Sequence, residues 1–348
     1  MKRLTMILAL FTMMIAFEDS FVHAKTKIFP WTRAQTESEG PAQSIGGYAW
    51  GCLQGASKLP SQGEGFRSIR RHRHRYFAHP ITIKTVIELA KNATQEGLLP
   101  IEIGDLSQPR GGRMKYGHRS HQSGLDIDIW FGGDKTYRQE EAKRRLSKLK
   151  RKAKKQKWNA KKLKKRVFDV AHPSVMSGWR EKLDTKVWSS RHETLLKLAS
   201  KRAEVARIFV HFRIKEKMCE RYKASAEFKK DPEPLWLRKL RPWYGHHQHF
   251  HIRLHCPKDS PECDNQGPLP TGLGCDNLEW FSKVAQKKRK KTKQEEDRLE
   301  DERLTKLTPQ ELKRIKRKKS EQKKVSKKSA SDRLAKLLSR CSHLAKSR

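Results

Sequence analysis

Two short stretches of the chain alternate polar and apolar residues with a period of two. Leu125 to Trp130 reads apolar, acid, apolar, acid, apolar, apolar, which predicts a half-buried strand. Asp126 and Asp128 then share one face, with Ile127 and Ile129 on the other. His249-Phe250-His251-Ile252-Arg253 repeats the logic, with two histidines and an arginine opposite Phe250 and Ile252. Two aspartates on one strand face are unfavourable unless something cationic compensates them. Packed side by side, the two strands bring Asp128, His249 and His251 together. The segment before the first strand, Gly117 to Gly124, contains His118 and His121. A glycine-containing turn there lets His121 fold over the strand end.

Other patterns outline the remaining organisation. Lys2 and Arg3 precede an apolar run from Leu4 to Phe17, and Val22-His23-Ala24 follows. The run is shorter than the roughly 18–20 residues of a membrane-spanning helix. It has the layout of a secretory signal peptide cut after Ala24, leaving no transmembrane span. Lys143 to Arg166 holds 15 Lys and Arg and no acid, with Leu146, Leu149, Trp158 and Leu163 among them. No Pro or Gly interrupts it, and it predicts a basic helical excursion. Lys283 to Lys328 carries a net charge of +12 and predicts a charged helical tail, broken at Thr308-Pro309, where a new helix can start. The expected organisation is a signal peptide at 1–24, a folded domain at 25–282 with a Lys-rich insertion at about 139–167, and a basic tail at 283–348. The expected core is α+β, a mainly antiparallel sheet carrying the site and flanked by helices.

Composition changes the reading of function. The 348 residues are 35% hydrophobic and 34% charged, with a formal net charge of +41. Such a balance suggests nucleic acid at first sight. Yet the two basic blocks hold most of the excess, and an exported chain does not normally meet DNA, so no nucleic-acid partner is expected. The blocks suit either attraction to an anionic envelope polymer or simple solvation. The six cysteines all follow the proposed cut, and an even number in an exported chain favours disulfides. Their count leaves the pairing open, although Cys256 and Cys263 enclose a short Pro-containing loop and are the natural local pair.

Two histidines and one carboxylate suit zinc, and three protein ligands leave a fourth position for water or substrate. Zinc can lower the pKa of a water it binds to about 7, which supplies a nucleophile at neutral pH. His72-Arg73-His74 is read otherwise. It lies within a run of arginines that opposes a dication, so a surface or substrate-phosphate role is expected there.

At these residues the sequence resembles the penicillin-insensitive murein endopeptidase family of zinc peptidases, whose wider group is marked by His-x6-Asp and a distant His-x-His. Here these are His121 with Asp128 and His249 with His251. Gly51-Cys52-Leu53, Ile103-Gly104-Asp105, Gly111-Gly112-Arg113, Arg207 to Val210, Arg241-Pro242-Trp243 and Arg253 to Pro257 resemble the family too. The resemblance spans roughly residues 41–282, apart from the lysine block. It implies that His121, Asp128 and His251 bind one catalytic zinc, that His249 acts as general base or stabilises the transition state, and that His246 orients or stabilises. His118 matches a further metal-associated histidine. Its partners would fall near Trp179 and Lys182, which do not suit zinc, so a loop hydrogen bond is the reading preferred for His118 and a second ion is not expected. The family also implies the pairs Cys52–Cys341, Cys219–Cys275 and Cys256–Cys263.

The implied activity is zinc-dependent hydrolysis of D-alanyl–meso-diaminopimelyl cross-links in peptidoglycan by zinc-activated water, in the periplasm. No serine nucleophile is required, so β-lactams should not inhibit. Arg113, Arg241 and Arg253 are candidates for holding substrate carboxylates, each with local pairing as the alternative. Asp105 and Asp126 are expected to support the site without binding metal. The competing readings are a zinc D,D-carboxypeptidase that trims chain ends and a non-catalytic binder of anionic envelope polymer.

Overall fold

The two alternating segments lie next to each other at the centre of the main sheet. The computed structural model describes residues 30–132, 137–177 and 182–305, with parts of 308–344. The proposed leader and Trp179 lie outside the described residues. In chain order, β1 (Gln43–Gly47) and β2 (Trp50–Gln54) form an antiparallel hairpin. The short strands β3 (Ser57–Lys58), β4 (Gln62–Gly63), β5 (Phe66–Ser68) and β6 (Phe77–Ala78) follow. Helix α1 (Pro80–Gln95) begins with proline at its first position, where the missing N–H costs nothing. The His79 side chain caps it by accepting from the Ile81 N–H at 3.3 Å. Ile83, Val86, Leu89, Ala90 and Ala93 give it one buried stripe.

Strands β7 (Ile101–Ile103) and β8 (Asp126–Trp130) precede the insertion helices α2 (Ala142–Lys155) and α3 (Ala160–Ala171). A small ribbon, β9 (Met176–Ser177) with β10 (Lys182–Leu183), leads to α4 (Ser190–Lys201), β11 (Val205–Val210) and α5 (Phe212–Lys223). Then come α6 (Glu227–Lys230), α7 (Leu235–Lys239), β12 (Leu240–Pro242), β13 (His249–Leu254) and α8 (Lys283–Thr305). The main sheet has the order β12-β11-β13-β8-β7-β5-β4. Only the β12–β11 and β7–β5 pairings are parallel, so the fold is the mainly antiparallel α+β arrangement that the patterning predicts.

One face of the sheet supplies the core. Ile127 and Ile129 of β8, Phe250 and Ile252 of β13, and Ile208 and Val210 of β11 join Leu89, Leu195 and Ile214 from α1, α4 and α5 in a single apolar cluster. The opposite face carries the site. There β8 departs from the half-buried expectation, because all five of its residues are buried. Loops cover its acidic face, and the aspartates stay charged there because cations surround them.

The lysine block is helical as expected, but as two helices rather than one run, extending to Ala171. Asn159 caps α3 by accepting from the Lys162 N–H at 2.9 Å. Most of its lysines are exposed, but its far end is fastened to the sheet. The Phe168 ring stacks on His172 at 4.0 Å and meets Trp130 edge-on at 5.4 Å. The Arg70 guanidinium lies 4.5 Å above both Trp130 and Phe168. In the tail, Thr308 and Glu311 form a reciprocal capping box at the predicted break. Three disulfides join Cys52–Cys341, Cys219–Cys275 and Cys256–Cys263, the pairing that the resemblance implies. Cys341 thus ties the chain end to β2, where Trp31, Ile45 and Leu344 pack around it. No described helix is long and apolar enough to cross a membrane.

Candidate active site and metal centre

Strand register places the chemistry. In the β8–β13 pair, Asp128 faces His251, Asp126 faces Arg253 and Trp130 faces His249. Phe209 of β11 continues the first row beside His251, and Arg241 of β12 follows Phe209. One row across the sheet is therefore Asp128, His251, Phe209 and Arg241.

His121 enters from the loop before β8 with a positive φ of 65°, costly for a residue with a side chain. Three bonds hold it there. Its N–H donates to Asp126 Oδ2 at 2.7 Å, its carbonyl accepts from the Ser107 hydroxyl at 2.6 Å, and its Nδ1 meets the Leu106 carbonyl at 2.8 Å. A carbonyl only accepts, so Nδ1 carries the proton and Nε2 keeps its lone pair. In the same way His251 Nε2 donates to Asp126 Oδ1 at 2.9 Å, which leaves Nδ1 free.

These two free nitrogens meet the same oxygen. Asp128 Oδ1 lies 3.3 Å from His121 Nε2 and 3.3 Å from His251 Nδ1. Tetrahedral donors about 2.0–2.1 Å from a zinc ion are separated by about 3.3–3.4 Å, so the spacing fits one ion. Both His121 Nε2 and Asp128 Oδ1 are buried without a hydrogen-bond partner. A cation between them would satisfy both lone pairs at once. His118, His121 and Asp128 also bring one donor atom each within 4.8 Å of one another, a candidate metal cluster. His118 is also paired with Asp105. Its Nε2 is 2.9 Å from Asp105 Oδ2 and 3.4 Å from Asp128 Oδ2.

The electrostatics follow from burial and these neighbours. Burial opposes the charge on Asp128, but His249, His118 and His121 hold its pKa well below the usual carboxylate range. Burial likewise opposes ionisation of Asp126, and Arg253 and His251 outweigh it. His251 resists charging through burial, yet Asp126 and Asp128 raise its pKa to about 9, so its imidazolium can supply positive charge here when no ion does. Burial lowers His249 to about 4 against the pull of Asp128, and lowers His246 to about 3 with help from His249 and His251. Both are therefore neutral near pH 7 and able to accept a proton. His249 is 23% exposed at the mouth of the site, with Nε2 3.7 Å from Asp128 Oδ1. The His246 ring lies 5.2 Å from that of His249 and donates through Nδ1 to the Tyr244 carbonyl at 2.9 Å.

The three arginines singled out in the sequence have different surroundings. Arg253 is buried, with Nε on Asp126 at 2.8 Å, Nη1 on Gln266 at 2.8 Å and its guanidinium over Tyr48. Arg241 has a buried Nη1 without a hydrogen-bond partner, on the site face of the sheet. Arg113 is exposed, beside the His118 loop in sequence. The Arg70–Arg75 segment differs from its surface expectation. Arg73 and Arg75 reach Asp105 at 2.8 and 2.9 Å, and Arg75 is buried. Buried Asp105 needs cations, and this segment supplies them beside His118. His72 is exposed and His74 contacts the Gln35 carbonyl, so neither joins the cluster. The sequence reading missed these arginines and the Arg70–Trp130–Phe168–His172 group. Its one available signal was the unexplained density of arginine from Arg70 to Arg75.

Comparison with known proteins identifies the family. Residues 44–317 match the family model described as penicillin-insensitive murein endopeptidase. A penicillin-insensitive murein endopeptidase of Haemophilus influenzae is 39% identical over 245 residues, covering 70% of this chain and 74% of that protein. Proteins of the same description from Salmonella paratyphi A and Salmonella typhi are 36% identical over 255 residues, covering 72% of this chain and 81% of each relative. With most of its length matched, the chain belongs to the penicillin-insensitive murein endopeptidase family.

Proposed function

We propose that this protein is a zinc-dependent endopeptidase that hydrolyses D-alanyl–meso-diaminopimelyl cross-links of peptidoglycan after export to the periplasm. The observation that carries the reading is the buried, unsatisfied pair His121 Nε2 and Asp128 Oδ1, with His251 Nδ1 equally close to the same oxygen. His121, Asp128 and His251 would hold the ion, and Leu106 and Asp126 fix the tautomers that let the two histidines do so. A bound zinc supplies Lewis acidity and a water of lowered pKa. His249, neutral and at the mouth, takes the proton of the attacking water, and Asp128 stabilises the charge it gains. His249 then passes that proton to the departing amine, and His246, held through its Nδ1–H on the Tyr244 carbonyl, helps to orient His249 beside it. Arg241 and Arg113 are the candidates to receive substrate carboxylates. No serine takes part, so β-lactams leave the reaction untouched.

The basic helices α2 and α3 would hold the enzyme near anionic envelope polymer, and the catalytic reading does not depend on them. The test uses purified protein with cross-linked muropeptide dimers and with pentapeptide monomers, with and without chelator. Dimer-to-monomer conversion that stops on chelation and returns with zinc is the expected result. Trimming of monomers with intact dimers would replace the reading with a D,D-carboxypeptidase, and binding without turnover would replace it with a polymer binder.

A further inference from the structure

An aromatic strip leaves the site on the side of His246. The Phe209 ring lies 5.4 Å from that of His251 and 6.3 Å from that of His246. Trp243 stands 6.0 Å beyond Phe209, Tyr244 6.1 Å beyond Trp243, and Trp280 6.2 Å beyond Tyr244. The last three are exposed to 53%, 37% and 51%. Large aromatic faces in water mark interaction surfaces, more so when they are contiguous. Arg289 braces the outer end, with its guanidinium 3.9 Å over Trp280 and Nη2 donating to the Tyr244 hydroxyl at 3.1 Å. Past Trp280 the strip opens into a groove of about 1190 Å³ between α5, α8 and β10, with Lys182 and Lys288 among its lining residues.

We propose that this strip is a saccharide platform on which a glycan strand lies while the peptide attached to it enters the histidine cluster. The proposal rests on the murein reading and adds a glycan subsite to it. Pyranose rings present flat C–H faces that cover aromatic rings, while their rims hydrogen-bond to water and to cations such as Arg289. The strip is continuous with the catalytic cluster through Phe209, so a substrate joining sugar and peptide can contact both. A peptide partner would be expected to fill an apolar groove with branched side chains, whereas three exposed rings in succession, tilted by 56° and 34° from one to the next, favour a chain of rings that turns with them.

The test uses the full chain with a soluble tetramer of N-acetylglucosamine, and metal is removed by chelator so that binding is read apart from hydrolysis. Saturation-transfer NMR and tryptophan fluorescence should report binding to the unaltered protein. Trp280→Ala and Trp243→Ala should each weaken it about tenfold, ~1.4 kcal/mol, and Trp280→Phe should keep most of it. On intact sacculi, Trp280→Ala should raise KM about tenfold with kcat retained. Its kcat/KM on a sugar-free cross-linked peptide should be unchanged. No tetrasaccharide binding by the unaltered protein, or equal binding by Trp280→Ala, would overturn the platform, as would equal loss on sacculi and on sugar-free peptide. Failure of the sugar-free peptide to react with the unaltered protein would count against the catalytic reading alone.

Discussion

His121 donates through Nδ1 to Leu106 and His251 donates through Nε2 to Asp126, so each is held in the tautomer that offers its other nitrogen to Asp128's side of the site. His249 occupies a different position, more exposed and 3.7 Å from the Asp128 oxygen, and neutral because burial lowers its pKa to about 4. On the proposed metal reading, His121→Ala, Asp128→Ala and His251→Ala should each lose bound metal and activity together. His249→Ala should keep its metal, measured by atomic absorption, and lose roughly 10²–10⁴-fold in kcat, the range for removing a general base. Near-normal turnover by His249→Ala would remove it from the mechanism. Asp126 is read as support for His251: it accepts from His251, Arg253 and the His121 backbone at once.

At the scale of elements, register in β8 and β13 does most of the positioning, and the helices hold that register by covering the apolar face. Lys215 of α5 is part of this cover. It is fully buried, and its Nζ donates to the Leu237 and Leu273 carbonyls at 2.7 and 2.6 Å. Burial, with Arg241 nearby, lowers its pKa to about 7 from an ordinary value of about 10.4. Between those values the unfolded chain binds a proton that the native state lacks, so this group makes stability rise with pH there; below about pH 7 its full penalty is present. Urea unfolding of Lys215→Met should therefore track the unaltered protein poorly. The unaltered protein should gain on the variant between about pH 7 and about pH 9, by up to ~1.4 kcal/mol per pH unit. A parallel pH dependence in the two would show that Lys215 does not titrate. The insertion makes a separate prediction. Replacing residues 143–166 with a short Gly-Ser link spares Phe168 and His172, which anchor α3 to Trp130. Sacculus binding should fall at low salt and differ little at high salt, where exposed charges are screened. Hydrolysis of small muropeptides should continue, and its loss would mean that the helices shape the cleft.

For the whole molecule, the Cys52–Cys341 disulfide closes the chain on itself across 289 positions. It backs the hairpin whose Tyr48 carbonyl accepts from the Gln122 N–H beside His121. Replacing both cysteines with serine should destabilise the oxidised protein by about 2–4 kcal/mol, seen as a lower thermal midpoint. An unchanged midpoint would show that the Arg340 contacts to Glu262 and Asp264 hold the chain end without the bond. The net charge of +41 has a clearer place at this scale. Much of it lies on α2, α3 and the tail, while the catalytic face uses its arginines on Asp105 and Asp126.

What the sequence alone determined is what local rules control. Period-two alternation placed Asp128 and His251 on faces that a sheet can bring together, and residue spacing marked the family to which they belong. The lysine block was legible as helix because helix formation depends on neighbours within a turn or so. Only the tertiary structure decided the partners of the buried charges. Asp105 with Arg73 and Arg75, Asp126 with Arg253, and Arg70 with Trp130 and Phe168 join residues from well-separated parts of the chain. Such pairing depends on strand order and loop path, which charge and ring type in sequence do not encode. The same dependence fastened the insertion's end to Trp130, and lined up Trp243, Tyr244 and Trp280 from two segments into one exposed strip.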